Sequence, residues 1–301
     1  MYPLVSIIIP THNRKESLVR LINSIKKSVY PLNKIEVIVI DDASTDGTLE
    51  IIKKLYSDIK IVKNDVELFP SKCRNLGVKM SEGDFIFFVD DDVVLYENTI
   101  HELVTALANY NKLGLVGPII YYYKNPTKIW CAGVRLFPPI FNPPYLIKKD
   151  KAWGSAKSLL IECDTIPSAF MTRRVIIEKA GLFDEGLPIG FEETDFALRI
   201  KKKGYKVAVY SKAKAFHDLP SEGIHISEKR TYYEGRNRVV LYKKHASVRH
   251  LFFLLDIVIF AFFLLKNKRI KDLNKHLSLY VKGMKDGLSY MKTIDVRSER
   301  I

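Results

Sequence analysis

One short stretch constrains the fold more than any other: an apolar run that ends in three consecutive aspartates. The run is Phe85–Val89, and Asp90, Asp91 and Asp92 follow it directly. A continuous apolar run of this kind predicts a strand buried on both faces, as in a parallel sheet covered by helices. Ligand sites in such sheets lie beyond the carboxyl ends of strands, so the aspartates mark a candidate site.

The three carboxylates repel one another at close range unless a cation neutralises them. Oxygen ligands suit a hard divalent ion such as Mg²⁺ or Mn²⁺, so the residues predict a metal and phosphate site. The alternative is an acidic turn beside a strand, with each charge solvated. The three residues alone leave both interpretations open.

The N-terminal part of the chain alternates between strand and helix patterns. Strands are predicted at Val5–Ile9, Ile35–Ile40, Ile59–Lys63 and Phe85–Val89. Helices are predicted at Lys15–Lys27, Leu49–Tyr56 and Ser71–Met80. This alternation is typical of βαβ units, so the sequence predicts an α/β fold with a mainly parallel, Rossmann-like sheet flanked by helices.

The character of the sequence changes between positions 119 and 164. Tyr121–Tyr123 and the proline pairs at 138–139 and 143–144 predict irregular, aromatic-lined loops and edge strands. Such a region is either a variable binding pocket or a surface insertion. Regular structure is predicted again at Arg174–Ala180, Thr194–Lys203 and Tyr205–Tyr210.

Basic charge is concentrated in the C-terminal part of the chain. The net charge is +14, and residues 221–301 carry 17 Lys and Arg against 8 Asp and Glu. This tail is predicted to begin with a basic helix at Ser227–Lys244. A basic tail attracts nucleic acid or an anionic membrane surface.

The tail also contains a hydrophobic segment at residues 248–265, in which Asp256 is the one polar residue between Leu251 and Leu265. A helix of that apolar length spans roughly 22 Å, short of a bilayer core of about 30 Å. We therefore expect an interfacial or re-entrant helix on an anionic membrane. The alternative is a helix packed on the rest of the protein or in a homodimer interface. Nucleic-acid binding is not expected, because such a segment requires lipid or protein.

The cysteines indicate a reducing compartment. Cys73, Cys131 and Cys163 are odd in number and lack the spacing of metal sites. The early, short apolar run Val5–Ile9 does not have the form of a signal peptide. We expect a cytoplasmic protein, peripherally associated with the cytoplasmic face of the cell membrane.

Four motifs lie along the chain in a fixed order: Val5–Arg14, Val37–Thr48, Cys73–Gly77 leading into Gly83–Asp92, and Gly181–Glu185 followed by Phe191–Arg199. Each is weak alone. Together they closely resemble the family 2 glycosyltransferases, which are inverting, nucleotide-sugar-dependent enzymes of the GT-A fold. The resemblance covers roughly residues 3–245 and looks most similar to the rhamnosyltransferase-like branch that builds cell-surface glycans.

The resemblance implies a nucleotide-diphosphate sugar, UDP-, dTDP- or GDP-linked, as the donor. Asp42 would accept a hydrogen bond from an imide or amide N–H of the nucleobase, or would serve only as a cap or turn residue. Arg74 would lie near the nucleotide, or on the surface. The complete set of nucleotide-binding residues that the resemblance implies is Pro10, Thr11, Asn13, Arg14, Asp42, Arg74, Asp90 and Asp91.

The Asp-x-Asp metal motif of the family corresponds to Asp90 and Asp92. A divalent ion there, Mg²⁺ or Mn²⁺, would neutralise the diphosphate as the glycosidic bond breaks. Asp92 is expected to be the direct ligand, whereas Asp90 is expected to face the ribose or a metal-bound water. His217, after a late strand, would be an additional metal ligand as in some family members, or a structural or exposed histidine.

The Glu-Asp motif that holds the catalytic base in the family corresponds to Glu192 and Glu193, so glutamate replaces the usual aspartate. Glu193 would take the proton from the acceptor hydroxyl as it attacks. Glu192 or Asp195 could share this work. As alternatives, Glu193 is a helix N-terminal acid favoured by the macrodipole, and Asp195 pairs with Arg199 four residues on.

Four residues are expected at the donor-sugar and acceptor sites: Ser168, Ala169, Asp195 and Arg236. Ser168 and Ala169 occupy the donor-sugar loop of the family, where small residues allow close backbone approach. Arg236 would reach an acceptor phosphate, or lie on a solvated helix face.

The sequence thus predicts an inverting, metal-dependent glycosyltransferase that acts on a hydroxyl of a glycan or polyprenyl-linked acceptor. A nucleotidyltransferase is one alternative, although Pro10–Arg14 lacks the glycine of a phosphate loop. A catalytically degenerate membrane-bound nucleotide-sugar or glycan-binding protein is another, and the glutamate at position 193 is its one hint. The expected domains are a GT-A domain at 1–220, with a nucleotide-binding half at 1–118 and an acceptor-binding half at 119–220, and a helical tail at 221–301.

Overall fold

The computed structural model describes residues 2–136, 145–152, 158–219, 227–245, 251–266 and 272–298. The strands are β1 Val5–Thr11, β2 Ile35–Asp41, β3 Lys60–Lys63, β4 Phe85–Val89, β5 Val93–Leu95, β6 Leu113–Tyr122, β7 Asn125–Cys131, β8 Val134–Arg135, β9 Tyr145–Leu146, β10 Leu160–Glu162, β11 Ala169–Arg173 and β12 Lys206–His217. The helices are α1 Lys15–Lys26, α2 Thr48–Leu55, α3 Phe69–Met80, α4 Thr99–Asn109, α5 Arg174–Ala180, α6 Glu192–Lys202, α7 Glu228–His245, α8 Leu251–Lys266 and α9 Leu273–Ser298. The proline pairs at 138–139 and 143–144, and the expected domain boundary at 220, lie outside the described residues.

One large sheet organises the fold. Its strand order is β10-β12-β6-β11-β4-β1-β2-β3, with β5 beside β12 and β7 beside β6. Strands β1 to β4 are parallel neighbours, and Val5 of β1 lies opposite both Ile35 and Phe85. The carboxyl ends of β1, β2 and β4 therefore meet at one edge of the sheet.

The sheet is mixed, whereas a mainly parallel sheet was expected. Strand β11 lies antiparallel to both β4 and β6, and β5, β7 and β10 also pair antiparallel to their neighbours. A parallel pair needs a long crossover connection, whereas a short link such as the one between β6 and β7 produces an antiparallel pair. The expected α/β fold with a central sheet flanked by helices is confirmed; its parallel part comprises the first four strands and the pair of β6 with β12, and the other pairs are antiparallel.

The N-terminal strands and helices predicted from the sequence are all present, with boundaries that differ from the predicted ones by at most two residues. Helix α4 and strand β6 were not predicted. Strand β6 crosses position 118, where the boundary between the two halves of the catalytic domain was expected, and that division stays a prediction. The three cysteines are unpaired and buried.

The two faces of the sheet bury two separate hydrophobic clusters. Ile7 and Ile9 of β1 point into one cluster with helices α1 and α4, whereas Ile8 points into the other with Phe88 and helix α6. Burying a side chain of this size contributes about 1.5–3 kcal/mol relative to leaving it exposed. The double burial confirms the interpretation of Phe85–Val89 as a strand covered on both sides.

The helices of the tail pack on one another and on α6. Helix α7 lies along α9, and α8 packs on α9. The basic helix predicted at Ser227–Lys244 is α7, and the described part of the hydrophobic segment is α8. Among the helices that the structure describes, none combines the length and the apolar character needed to cross a bilayer.

Candidate active site

Asp91 turns back toward the first strand. Its carboxylate accepts a hydrogen bond from the Thr11 hydroxyl (2.8 Å) and pairs with the Arg14 guanidinium (3.2 Å). Burial and the neighbouring carboxylate of Asp92 raise the pKa of Asp91 to about 7, although Arg14 opposes the shift. The first loop and the end of β4 are thereby joined, as expected from the carboxyl ends of adjacent parallel strands.

Asp92 contacts one guanidinium group and one imidazole ring. Its carboxylate lies 2.6 Å from Arg14 Nη1 and 3.0 Å from His217 Nε2, at the end of β12. Burial alone would raise the pKa of Asp92, but His217 and Arg14 lower it to about 2. The imidazole of His217 packs edge-on against Trp130, with ring centroids 4.4 Å apart.

Asp92 Oδ1 and His217 Nε2 lie 3.0 Å apart, and this carboxylate oxygen and imidazole nitrogen are the pair that would hold a divalent ion. Asp90 points instead to Arg74 (2.8 Å). Within the described residues no group of three His, Cys, Asp or Glu side chains is arranged to hold a metal, so further ligands would have to come from a bound diphosphate or from water.

A buried arginine gathers the other acids of the site. Arg74 is 2% exposed, and its guanidinium pairs with Asp90 (2.8 Å), Glu192 (2.9 Å) and Glu193 (3.1 Å). It also lies 5.5 Å from the ring centroid of Phe183. Arg74 is therefore buried beneath the carboxylates, so the alternative of a surface position is wrong, and its expected role near a nucleotide stays a prediction.

Glu193 stands at the beginning of α6 with one side open. The helix starts after Gly190 and Phe191, both in the left-handed region (φ 81° and 68°), which turns the chain so that both glutamates face Arg74. The side chain of Glu193 is 21% exposed, whereas that of Glu192 is 6% exposed. Burial, with a smaller contribution from Glu192, raises the pKa of Glu193 to about 8 against the opposing effect of Arg74.

The expected donor-sugar loop lies between the two groups of acids. The carbonyl of Ser168 accepts a hydrogen bond from the Asp90 N–H (2.8 Å), and the Ser168 N–H lies 3.4 Å from Glu193 Oε1. Ser168 has φ 62°, a strained conformation for a residue with a side chain. Ala169 follows it and is fully buried in β11, opposite Val89.

Asn13 and Asp42 lie at a neighbouring corner of the same edge. The Thr45 N–H donates to Asn13 Oδ1 (2.7 Å), and the Asn13 N–H donates to the Ser44 hydroxyl (2.9 Å). Asp42 accepts three hydrogen bonds at 2.8 Å, from the Asn64 side chain and from two backbone N–H groups at positions 68 and 69. The expected nucleobase acceptor is therefore a 4%-exposed group that also fixes the loop before α3.

Two residues expected near the sugar or acceptor point elsewhere. Asp195 is fully buried and pairs with Arg199 (2.8 Å), Lys244 (2.6 Å) and His245 (2.8 Å), which joins α6 to α7. Arg236 donates to the carbonyl of Gly186 (2.7 Å) and lies 4.5 Å from the ring centroid of Tyr290. Asp195 thus joins the tail to α6, and Arg236 joins it to the loop before α6; the structure contains the Asp195–Arg199 pair that was one of the alternatives.

We expect Asp195→Asn to lower the free energy of unfolding by about 2 kcal/mol, because hydrogen bonds to charged groups contribute roughly 1.5–3 kcal/mol and the partly exposed Arg199 and Lys244 regain water. Burial opposes ionisation, but His245, Lys244 and Arg199 hold the pKa of Asp195 well below its usual range. The stabilisation is therefore present at neutral pH and is lost as the pH falls below the unfolded value of about 3.9.

Urea unfolding followed by circular dichroism measures the difference. The control is Asp58→Asn, which removes an exposed pair with Lys26 and should cost at most about 1 kcal/mol. Equal losses of unfolding free energy for the two variants, or a difference between them that does not become smaller at acid pH, would show that the ion pairs of Asp195 do not stabilise the packing of the tail.

Two residues of the site were missed in the sequence. Asn64, which binds Asp42, directly follows β3, and its position after a parallel strand was a usable signal. Trp130, which packs on His217, lies in a region predicted to be irregular, and nothing local marks it.

The architecture is that of the GT-A fold. A mannosyltransferase from Pyrobaculum calidifontis, PcManGT, solved in complex with GDP-Man and Mn²⁺, superposes with a TM-score of 0.59 at 16% identity, covering 96% of this chain and 76% of that one. Residues 1–349 of Staphylococcus aureus TarS, in complex with UDP-GlcNAc, superpose with a TM-score of 0.57 at 19% identity, covering 94% and 80%. At these identities the likeness confirms the fold.

The family follows from the sequence. Residues 6–180 match Glycosyl transferase family 2, and the chain belongs to that family. A poly(ribitol-phosphate) β-N-acetylglucosaminyltransferase of Staphylococcus aureus, TarS, is 36% identical over 109 residues, which are 35% of this chain and 19% of TarS. The probable glycosyltransferase YdaM of Bacillus subtilis is 26% identical over 275 residues, 89% of this chain and 60% of YdaM. The chain thus spans less than two thirds of the length of either relative.

Proposed function

We propose that the protein is an inverting, metal-dependent glycosyltransferase of cell-surface glycan synthesis, acting in the cytoplasm at the membrane face. It transfers a sugar from a nucleoside-diphosphate donor to a hydroxyl of a glycan or polyprenyl-linked acceptor. Family membership favours glycosyl over nucleotidyl transfer. The observation that carries the proposal is the position of the partly exposed Glu193, which touches the donor-sugar loop at Ser168 and shares Arg74 with Asp90.

The chemistry is a single in-line displacement. The acceptor oxygen forms a bond to the anomeric carbon, its proton passes to a Glu193 oxygen, and the bond between that carbon and the diphosphate oxygen breaks with its electron pair on the nucleoside diphosphate. A base with a pKa of about 8 is well matched to this task, because general bases work best when their pKa lies near the working pH.

The edge of the sheet that carries Asp90–Asp92, called here the acidic edge, would bind the diphosphate through a metal ion and Arg14. Asp92 and His217 would hold a divalent ion, which when bound neutralises charge on the leaving diphosphate. Arg14 is about half exposed, and its partners within the described residues are Asp91 and Asp92, so its guanidinium would be able to turn to a phosphate. Asp42 and Asn13 would line the nucleobase corner. PcManGT and TarS, which were solved with GDP-Man and UDP-GlcNAc, support a nucleotide-sugar donor and leave UDP, GDP and dTDP as the candidates.

We expect one of UDP, GDP and dTDP to raise the melting temperature in the presence of Mn²⁺ or Mg²⁺. A ligand that binds only the native state at a hundredfold excess over its dissociation constant stabilises it by about 2.7 kcal/mol. Differential scanning fluorimetry of the full chain measures this shift. Asp92→Asn should remove the metal-dependent part, whereas Asp58→Asn, at an exposed pair, should retain it. A set of nucleotides that leaves the melting temperature unchanged with either metal would overturn the proposed donor site.

A further inference from the structure

Helix α8 presents a row of large apolar side chains to solvent. Leu255 is 44% exposed, Val258 63%, Phe262 66% and Leu265 63%. Steps of three, four and three residues place these side chains on one face of the helix. At a rise of about 1.5 Å per residue, the row is roughly 15 Å long.

The opposite face of α8 packs against the rest of the tail. Asp256 accepts hydrogen bonds from the hydroxyls of Tyr242 (3.1 Å) and Tyr280, and it lies 3.5 Å from the guanidinium of Arg238. Phe260 stacks on Tyr280 with ring centroids 3.8 Å apart. The one charged residue within the apolar run therefore faces the protein, and the exposed side chains that the structure describes on the outward face of α8 are apolar.

The positive charge next to this face indicates which kind of partner binds it. Immediately after the apolar run, residues 266–271 contain three lysines and one arginine and no acid, and the whole tail has a net charge of +9. Two copies joined through α8 would bring these like charges together, whereas an anionic lipid surface attracts them. The helix, 16 residues long, spans about 24 Å and is too short to cross a bilayer core of about 30 Å.

We propose that α8 is a docking face for an anionic phospholipid bilayer, and that it lies along the surface with Leu255, Val258, Phe262 and Leu265 inserted between the headgroups. An apolar face beside basic residues is the composition that favours this mode of binding. This identifies the surface behind the membrane location in the proposed function, but it does not depend on catalysis.

The docking face is connected to the proposed base through buried contacts. Asp256 of α8 binds α7, and Lys244 and His245 at the end of α7 bind Asp195, two residues from Glu193. Asn237 of α7 also donates to the carbonyls of Ile189 and Gly190, just before α6 begins. A docked tail would therefore hold Glu193 at a fixed position relative to the bilayer, which suits an acceptor carried on a lipid.

Flotation of the full chain with vesicles tests the docking face. The vesicles are phosphatidylcholine alone, and phosphatidylcholine mixed with phosphatidylglycerol. The wild type is expected to float with the mixed vesicles, and less so at high salt. The double variant Val258→Ser, Phe262→Ser should reduce the bound fraction on the order of tenfold, because it removes much of the inserted apolar surface. Val29→Ser, Leu55→Ser, at comparably exposed apolar positions elsewhere, should leave it unchanged.

Three results would overturn the proposal. The α8 variant could float as well as the wild type, or the wild type could bind both vesicles equally. Sedimentation without lipid could show a wild-type dimer that the α8 variant dissociates, which would make the face a protein interface. Nucleotide-dependent stabilisation, measured on the same samples, reports separately on the donor site and on folding, so loss of the proposed enzymatic function and loss of docking are distinguishable.

Discussion

Replacing Glu193 by glutamine is expected to reduce turnover about 10²–10⁴-fold while nucleotide binding persists. An amide has nearly the size of the carboxylate but cannot take the acceptor proton, and general base catalysis contributes a factor in that range. Glu193 touches Ser168 and Arg74 and does not contact Asp92 or His217, so the diphosphate site should stay intact. Initial rates with a labelled donor and thermal stabilisation by the nucleotide are measured on the same preparation.

Two matched variants decide which acid is the base. Glu193→Asp keeps a carboxylate at the position where the resembling family has aspartate, so it should retain much more activity than the glutamine variant. Glu192→Gln changes the more buried neighbour, whose pKa is raised mainly by burial, and should lose less. A larger loss for Glu192→Gln than for Glu193→Gln would transfer the role to Glu192.

The pH dependence of kcat/KM tests the assignment of Glu193 as the base independently of the variants. The base must be ionised, and the pKa of Glu193 lies at about 8, so kcat/KM of the wild type should rise with pH and level off above that value. The Glu193→Gln variant should lack this limb. A wild-type rate that is flat between about pH 6 and pH 9, or that falls with rising pH, would contradict an ionised glutamate as the base.

The strands and helices that build the acidic edge could be predicted because their signals are local. The apolar run Phe85–Val89 and the aspartates after it stand side by side in the chain, and parallel strands bring such ends together. The meeting of Thr11 with Asp91 follows from that geometry alone.

The second half of the sheet could not be predicted in this way. Strand β11 enters between β4 and β6 in the opposite direction, and Ala169 pairs with Val89, eighty positions earlier. No local pattern states the direction of a strand. The pairing depends on which hydrophobic faces remain uncovered once the first four strands have formed.

Arg74 and Asp195 show the same limit at the level of side chains. The partners of Arg74 lie 16, 118 and 119 positions along the chain, and two partners of Asp195 lie in α7. A sequence motif indicated that these residues matter near the site. Only the packed structure distinguishes a residue that reaches a ligand from one that holds the residues around it.

At pH values above about 8, where Glu193 is ionised, replacing Arg74 by methionine is expected to lower the free energy of unfolding by about 3–5 kcal/mol, because it leaves buried carboxylates without their counter-charge. Arg74→Lys should lose less, since it keeps the charge but not the forked geometry that serves three acids. The control is Lys206→Met, whose pair with Glu162 is about half exposed on both sides and should contribute at most about 1 kcal/mol. Urea unfolding of the three variants measures these differences. Equal losses of unfolding free energy for Arg74→Met and Lys206→Met would show that Arg74 stabilises the fold no more than an exposed ion pair does.

A readout of activity separates positioning from stability alone. Arg74 lowers the pKa of Glu193 against the effect of burial, so its removal should raise that pKa further and move the rising limb of kcat/KM to higher pH. The stability deficit of Arg74→Met should shrink as the pH falls, because protonated carboxyl groups need no counter-charge. If Arg74→Met only lowered stability, kcat/KM would fall at every pH and its rise would stay at the same pH. Arg74 would then be a structural residue, and burial alone would set the pKa of Glu193.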